Sequence, residues 1–440
     1  MVDYLIVGNS AAGIAAAEEI RSKDTKGSIL LVSEEDCLSY SRPLLARYLS
    51  GEFSLEKISF RPKDFFQKKR LDVKLSTRVT RIDPEKKRLL TFGTKDHLPH
   101  PEEKLTYGRL LLTTGSIPSR PPVKGLDLEG VFTFLSLLEA EQIRDYLRKN
   151  SVRDVLILGG GLIGLESVET FHRLGCRVRI VELAPYLLST TFDPKASEIM
   201  AGHLSKNGVV IHIEETVESF TGKNGRVSGA VLKKGGEVSV DLAVIAVGVR
   251  PRTELAEGAG LQVGMGILTD QKMCTSAPDI YAAGDCVQVE NILSGARHPL
   301  PLWPEAVRQG KVAGVAMSAG KNLDCDKFGT AYRGGIIMNS IEILDLPTMS
   351  AGITDDPETE VFCEFLPEKE IYRKVLVRQN RVIGYIFIGQ IERTGIYTGL
   401  IKEGIDVSSF KDKLLDEDFG LIYLPSDYQK HLVKGEGIEV

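Results

Sequence analysis

The chain has 440 residues, 42% hydrophobic and 26% charged, which excludes global disorder and leaves room for about three domains. Its net charge of −5 gives no basic footprint for nucleic acid, and its apolar runs, such as Leu242 to Val249, fall far short of the ~20 residues a membrane helix needs. Six scattered cysteines (Cys37, Cys176, Cys274, Cys286, Cys325, Cys363), with no CxxC and no metal-like cluster, indicate a reduced, cytoplasmic interior. No secretory leader is expected ahead of a first strand that starts almost at Met1.

The first unit runs from Asp3 to Glu34. A short apolar run, Tyr4 to Val7, reads as a buried parallel strand, and the turn Gly8-Asn9-Ser10-Ala11-Ala12-Gly13 follows it. An alanine-rich helix to about Ser22 and a second strand, Ile29 to Val32, lead to the acid Glu34. This is the dinucleotide fingerprint with Ser10 in place of the middle glycine. Gly8 permits the turn, Ser10 is small enough for a pyrophosphate to approach, and Gly13 lets helix and strand pack. The helix amino end, with Ala11 and Ala12, presents N–H groups to phosphates, and Glu34 stands where ribose hydroxyls need an acceptor.

Beyond Glu34, Tyr40, Arg42, Pro43 and Arg47 lie at a turn into a helix, and the two arginines are read as anion contacts. Strands are expected at Asp72 to Leu75, Thr77 to Asp83 (with Val79), Leu89 to Phe92 and Leu105 to Tyr107. Leu110 to Leu112 is read as a separate apolar strand that ends in Thr113-Thr114-Gly115. Pro118, Pro121 and Pro122 mark a linker, and Ser136 to Lys149 a helix.

The opening pattern then recurs. Val155 to Leu158 is a strand, Gly159-Gly160-Gly161-Leu162-Ile163-Gly164 an intact GxGxxG, Leu165 to about Leu174 a helix, and Arg177 to Val181 a strand ending at Glu182. The distance from first glycine to acid is 23 positions here and 26 in the first copy. Two such units in order are far more specific than either alone. Leu242 to Pro251 reads as a strand into the Gly248 turn, and Pro278 to Ala283 as a strand that delivers Gly284-Asp285. Leu302-Trp303-Pro304 is read as preceding a helix from about Glu305 to Ala319. From about Leu323 the character changes to antiparallel strands, Ile336 to Ile343, Glu360 to Phe365, Tyr372 to Arg378 and Val382 to Gly389, with a helix at Thr394 to Lys402 and a polar tail.

With these motifs the chain resembles the flavoproteins of the pyridine nucleotide–disulfide oxidoreductase superfamily, which carry two dinucleotide-binding domains. The match rests on Gly8 to Gly13, Thr113 to Gly115, Gly159 to Gly164, Gly248 and Gly284-Asp285. Ser39 to Leu45 looks like the PYxRPxL motif of rubredoxin reductases, ferredoxin reductases and nitrite reductase diaphorase modules, with Ala46-Arg47 where that motif continues SK. The tail around Ile405 to Asp412 and Asp418 to Leu421 looks like that of anaerobe FAD–NAD oxidoreductases.

The resemblance implies an α/β fold of two Rossmann-like domains, an NAD domain inserted in an FAD domain, plus a C-terminal α+β domain. The expected boundaries are 1–116 with 250–322 for FAD, 117–249 for NAD, and 323–440 for an interface domain. FAD and NAD(H) are the implied cofactors. In the family Ile163 and Glu166 would line the nicotinamide slot, Arg47 and Asp285 would hold the flavin, and the helix after Leu302-Trp303 would face a flavin carbonyl. The implied partner is a small iron–sulfur electron carrier of ferredoxin or rubredoxin type, with the chain as a homodimer or in a complex with a ferredoxin-like protein.

Departures narrow the chemistry. No CxxxxC follows the first acid, and Pro43 or a neighbour stands where single-cysteine relatives carry their redox thiol. Cys37 precedes the tyrosine, and His298 reads as a plain loop residue. An oxygen-reducing NADH oxidase and a flavoprotein redox switch stay open as alternatives. A membrane quinone dehydrogenase is disfavoured by four basic residues (Lys411, Lys413, Lys430, Lys434) against seven acidic ones over Ser408 to Val440.

Overall fold

The computed structural model describes residues 1–94, 102–319 and 331–425. The domain boundary near Leu323, Cys325, and the charged tail with Asp427, Lys430, Lys434, Glu436 and Glu439 lie outside the described residues. The chain divides into two compact units, Met1–Val181 with Glu215–Gly335, and Glu182–Glu214 with Ile336–Val440.

The larger unit holds two parallel sheets. In the first, the strands Asp72–Lys74, Ile29–Val32, Val2–Val7, Glu103–Leu112 and Ile280–Ala282 lie side by side in that order, all parallel. Leu5 and Ile6 are fully buried, as a strand covered on both faces requires. The register aligns Val7 with Val32 and Leu112, and Leu112 with Ala282. Gly8, Ser33, Thr113 and Ala283 therefore leave the sheet along one edge, where doubly wound sheets bind ligands. Glu103–Leu112 also continues into an antiparallel meander with Arg88–Gly93 and Thr77–Asp83.

Two expected strands, Leu105 to Tyr107 and Leu110 to Leu112, are thus one ten-residue strand. Gly108 does not interrupt it, because its backbone passes so close to Asp3 that a Cβ would sit 2.8 Å from the Asp3 carbonyl oxygen. The helix Ala11–Lys23 packs on the helix Trp303–Ala319, whose Gly310 and Gly314 carry no side chain where a Cβ would meet the Ala12 and Ala16 carbonyl oxygens at 2.3 and 2.7 Å. That register makes the two helices parallel. The second begins at Trp303 and not Glu305, since proline is tolerated in a helix's first turn.

The second sheet sets Val131–Thr133, Leu242–Ile245, Asp154–Leu158 and Arg177–Val181 side by side, again parallel and in register at their carboxyl ends. A three-stranded meander, Val217–Lys223, Arg226–Leu232 and Glu237–Ser239, packs Phe220, Val227 and Leu232 onto Leu156 and Leu158. The helix Leu137–Lys149 starts on a full capping box between Ser136 and Glu139. The strand Leu242–Ile245 runs into the Gly248 turn as expected, and beyond the turn Val249–Pro251 forms an antiparallel ribbon with Ser116–Pro118.

The smaller unit is built on a five-stranded antiparallel sheet in the order Met338–Ile343, Leu346–Gly352, Arg381–Ile388, Ile371–Arg378, Glu360–Leu366. The helix Thr394–Glu403 lies on it, its Tyr397 ring beside Tyr385, Phe387 and Phe419. The helix Pro194–Lys206 is capped by Asp193, whose other oxygen takes buried bonds from Lys374 (2.7 Å) and Tyr372 (2.8 Å). The architecture is that of two Rossmann-like units and a C-terminal α+β domain.

Candidate functional site

Both glycine turns are enforced by backbone crowding. Gly8 has φ +115°, and a Cβ there would lie 2.3 Å from the Thr113 carbonyl oxygen; at Gly13 it would lie 2.2 Å from the Gly8 oxygen. In the second copy Gly159 has φ +112° with the Ala246 oxygen 2.3 Å from its would-be Cβ, and at Gly164 the Gly159 oxygen would be 2.0 Å away. No side chain fits at these four positions.

The middle position behaves differently. A Cβ at Gly161 would meet open space, and Ser10 carries its hydroxyl there without capping its own helix. In the first copy the helical bonding starts at Ile14, which donates to Ser10 O at 3.0 Å, so the N–H groups of Ala11, Ala12 and Gly13 precede the ladder. Each turn is closed where strand and helix pack and open where a pyrophosphate approaches, so the residues fit FAD and NAD(H).

The ribbon after the first sheet gathers the remaining turns. Thr114 donates to the Arg252 carbonyl (2.8 Å), Arg252 N–H to Gly115 O (2.9 Å) and Ser119 N–H to Gly248 O (2.9 Å). Gly115 and Gly248 have φ +71° and +100° and face open space. Ser116 donates to Asp285 at 3.1 Å. Burial pushes the Asp285 carboxyl up, against that hydrogen bond and the Arg42 charge. Gly284, at φ +86°, donates its N–H to Gln309 (2.7 Å).

Glu34 is held by two arginines, Arg78 through two bonds and Arg252 at 2.8 Å. Burial works to raise its carboxyl, yet the arginines outweigh that and hold it below the usual range. Arg42 bonds Leu135 O (2.8 Å) and Glu35 (2.5 Å) and lies over the Tyr40 ring, while Tyr40 accepts from Leu137 N–H at 3.0 Å. These contacts tie the Ser39–Arg42 segment to the start of the helix Leu137–Lys149. Arg47 stays half-exposed, near Glu52 (3.3 Å) and over Phe53 (5.5 Å). Val79 is buried in its strand opposite Thr91. Trp303 meets Phe60 edge-on at 5.0 Å, and Leu302 accepts from Ala306 N–H at 2.9 Å, opening that helix.

On the helix Leu162–Arg173, Ile163 and Glu166 are half-buried one turn apart. Desolvation, and then the charge of Glu169, push the Glu166 carboxyl up to about 7. Glu182, described with the smaller unit, accepts from Ala184 N–H at 2.6 Å and donates its own N–H to His212 O at 2.8 Å.

Burial and Glu35 push the Cys37 thiol up to about 12. His298 lies on the short strand Arg297–Pro299 and not in a loop. Sequence reasoning missed Asn9, a variable position of the fingerprint, which bonds Cys37 O (2.9 Å) and accepts from Ser33 (3.2 Å). It also missed Arg78 and Arg252, which no motif marks. Among the described residues, no group of three or more His, Cys, Asp or Glu side chains is arranged to hold a metal ion, and no helix is long and apolar enough to cross a membrane.

The chain belongs to the pyridine nucleotide-disulphide oxidoreductase family, whose model matches residues 2–310; a rubredoxin NAD+ reductase C-terminal domain matches residues 338–405. It is an NAD(P)H-dependent oxidoreductase with FAD and NAD(H) as cofactors. It is 32% identical to a rubredoxin-NAD(+) reductase of Pseudomonas putida over 70% of this chain and 78% of that one. It is 28% identical to a nitrite reductase [NAD(P)H] of Bacillus subtilis over 92% of this chain, and spans about half (48%) of that longer protein. Among solved structures, an NAD-dependent persulfide reductase from A. fulgidus superposes with a TM-score of 0.84 at 29% identity, covering 95% of this chain and 79% of that one.

Proposed function

We propose that this protein moves electrons between NADH and a small iron–sulfur carrier of ferredoxin or rubredoxin type through FAD, with no cysteine relay. The observation that carries the reading is the setting of Cys37, half-buried with its Sγ 3.7 Å from a Glu35 carboxylate oxygen. A thiolate is the reactive form of cysteine, and burial and the neighbouring Glu35 carboxylate push this thiol up, away from that form. The match of residues 338–405 to the rubredoxin reductase C-terminal domain supports the carrier's class.

Bound FAD would supply the exchange of the electron pair of one hydride for two single electrons. The helix Ala11–Lys23 and the Ser10 hydroxyl would receive its pyrophosphate, Asp285 would accept from a ribityl hydroxyl, and Glu34, held by Arg78 and Arg252, would accept from a ribose. The turn Gly159 to Gly164 would receive the NADH pyrophosphate at its open middle position, Gly161, with Ile163 against the nicotinamide and Glu166 able to hold a proton near neutral pH. Arg42 and Arg47 supply positive charge on the flavin side. We assign residues 1–116 with 250–322 to the FAD domain, 117–249 to the NAD domain and 323–440 to an interface domain of a homodimer or a hetero-complex.

The test is anaerobic stopped-flow on wild type and Cys37→Ser, reduced with NADH and mixed with oxidised ferredoxin or rubredoxin. Unchanged carrier-driven reoxidation over many turnovers is expected. Reduction by NADH with reoxidation abolished in Cys37→Ser would make Cys37 a relay. Reoxidation of wild type by oxygen alone, with neither carrier effective, would make the protein an oxidase.

A further inference from the structure

Under the amino end of the helix Trp303–Ala319 lies a buried polar chain, of which only the Gly284–Gln309 link has been described. Glu305, Gln309 and Tyr332 are 0%, 1% and 5% exposed. The Tyr332 hydroxyl donates to Glu305 Oε2 at 2.7 Å and accepts from Gln309 Nε2 at 3.3 Å, while Gln309 Oε1 accepts the Gly284 N–H at 2.7 Å. Arg308 closes the far end on Glu305 at 3.0 Å. Gly335 leaves the room: a Cβ there would sit 2.7 Å from Glu305 Oε2. A carboxylate has no place in an apolar interior unless fully bonded, so its presence calls for a reason.

The reason lies in the direction of the chain. A carboxylate paired with arginine only accepts, a hydroxyl does both, and a glutamine amide can present either end. With Glu305 as an acceptor-only terminus, the Tyr332 hydrogen must point at it. The Tyr332 oxygen is then left to accept, Gln309 must turn its NH2 toward it, and the Gln309 oxygen is committed to Gly284. An amide facing the other way would set two donors against each other at the turn.

We propose that Glu305 is a positioning residue, which through Tyr332 and Gln309 fixes the Gly284–Asp285 turn so that Asp285 is held ready for the FAD ribityl chain. The inference rests on the reading of Asp285 given above and adds the residues that act through it. Gln309 also secures a turn whose positive φ is strained for any residue but glycine.

The test is FAD titration of the apoprotein, followed by flavin fluorescence, with the apoprotein melting temperature as a control on folding. The set is wild type, Asp285→Asn, Tyr332→Phe, Gln309→Met and the Tyr332→Phe/Asp285→Asn double variant. The inference expects about tenfold weaker FAD binding in each single variant, with the double no more than about twofold weaker than the worse single, because the chain acts only through Asp285. Merely structural damage multiplies in the double, and that product overturns the proposal. So does a Tyr332→Phe or Gln309→Met protein that binds within twofold of wild type while Asp285→Asn is weakened. Wild-type affinity in Asp285→Asn removes the Asp285 reading itself, and the inference with it. If Tyr332→Phe does not fold, Glu305→Gln takes its place in the cycle, since an amide keeps the shape and loses the fixed direction.

Discussion

Single carboxylates in this chain differ by what surrounds them. Glu34 and Glu166 are both glutamates of nucleotide-binding units, yet two arginines lower the first while burial and Glu169 raise the second to about 7. A raised carboxyl binds its proton more tightly folded than unfolded. Its stabilising contribution is therefore complete below the ordinary carboxyl value of 4.5 and is lost as pH rises through about 7. Apoprotein melting temperature should fall between about pH 5 and about pH 8 in wild type, and less steeply in Glu166→Gln. Parallel curves for the two proteins would show that Glu166 titrates normally.

Glu182, the acid that ends the second glycine-turn unit as Glu34 ends the first, belongs to the same scale as the proposed acceptor for the NADH ribose hydroxyls. Its carboxylate is oriented by Ala184 N–H, and Leu183, Ala184 and Pro185 bring no cation. A 2′-phosphate at 4 Å would cost about 4 kcal/mol at an effective dielectric of 20, before screening. NADH should exceed NADPH in kcat/KM by at least about tenfold, and Glu182→Gln should narrow the gap. Equal specificity constants in wild type would overturn the assignment.

At the scale of elements, the same residue type has opposite worth in two helices. Gly310 lets the helix Trp303–Ala319 touch Ala12, so a Cβ there collides with backbone at 2.3 Å, whereas a Cβ at Gly202 in the helix Pro194–Lys206 meets nothing. Gly310→Ala should destabilise by about 1–3 kcal/mol through overpacking and loosen FAD with it. Gly202→Ala should stabilise by about 0.5–1 kcal/mol, the cost of a mid-helix glycine. Urea unfolding of both variants checks the pair, and a shift of equal sign would count against the packing account.

For the whole molecule, net charge and local charge act at different ranges. If the proposed carrier is acidic, a chain of net charge −5 repels it at long distance, and docking would have to use a local basic face. Carrier-dependent reoxidation should slow as salt rises through physiological ionic strength, while NADH reduction of the flavin changes little. A carrier rate that does not depend on salt would argue for an apolar or small-molecule acceptor.

The sequence by itself determined both nucleotide-binding turns, their flanking strands and helices, and the Gly284-Asp285 turn. Each is a local pattern in which an apolar run, a glycine spacing and an acid fall within about 30 residues, so neighbours along the chain carry the signal. It missed Leu346–Gly352, because that strand enters from Leu344-Asp345, a two-residue turn with φ +50° and +69° where Asn-Gly would be the usual sign. It split Glu103–Leu112 at a glycine that proved to be a point of close contact. Only the tertiary structure decided which side chains meet. Arg78 and Arg252 reach Glu34 across 44 and 218 positions, and Tyr332 reaches Glu305 across 27. Such pairings arise where separate strands and helices converge, and the free energy that selects them, burial of a charge with its partners in place, exists only once the chain has closed around them.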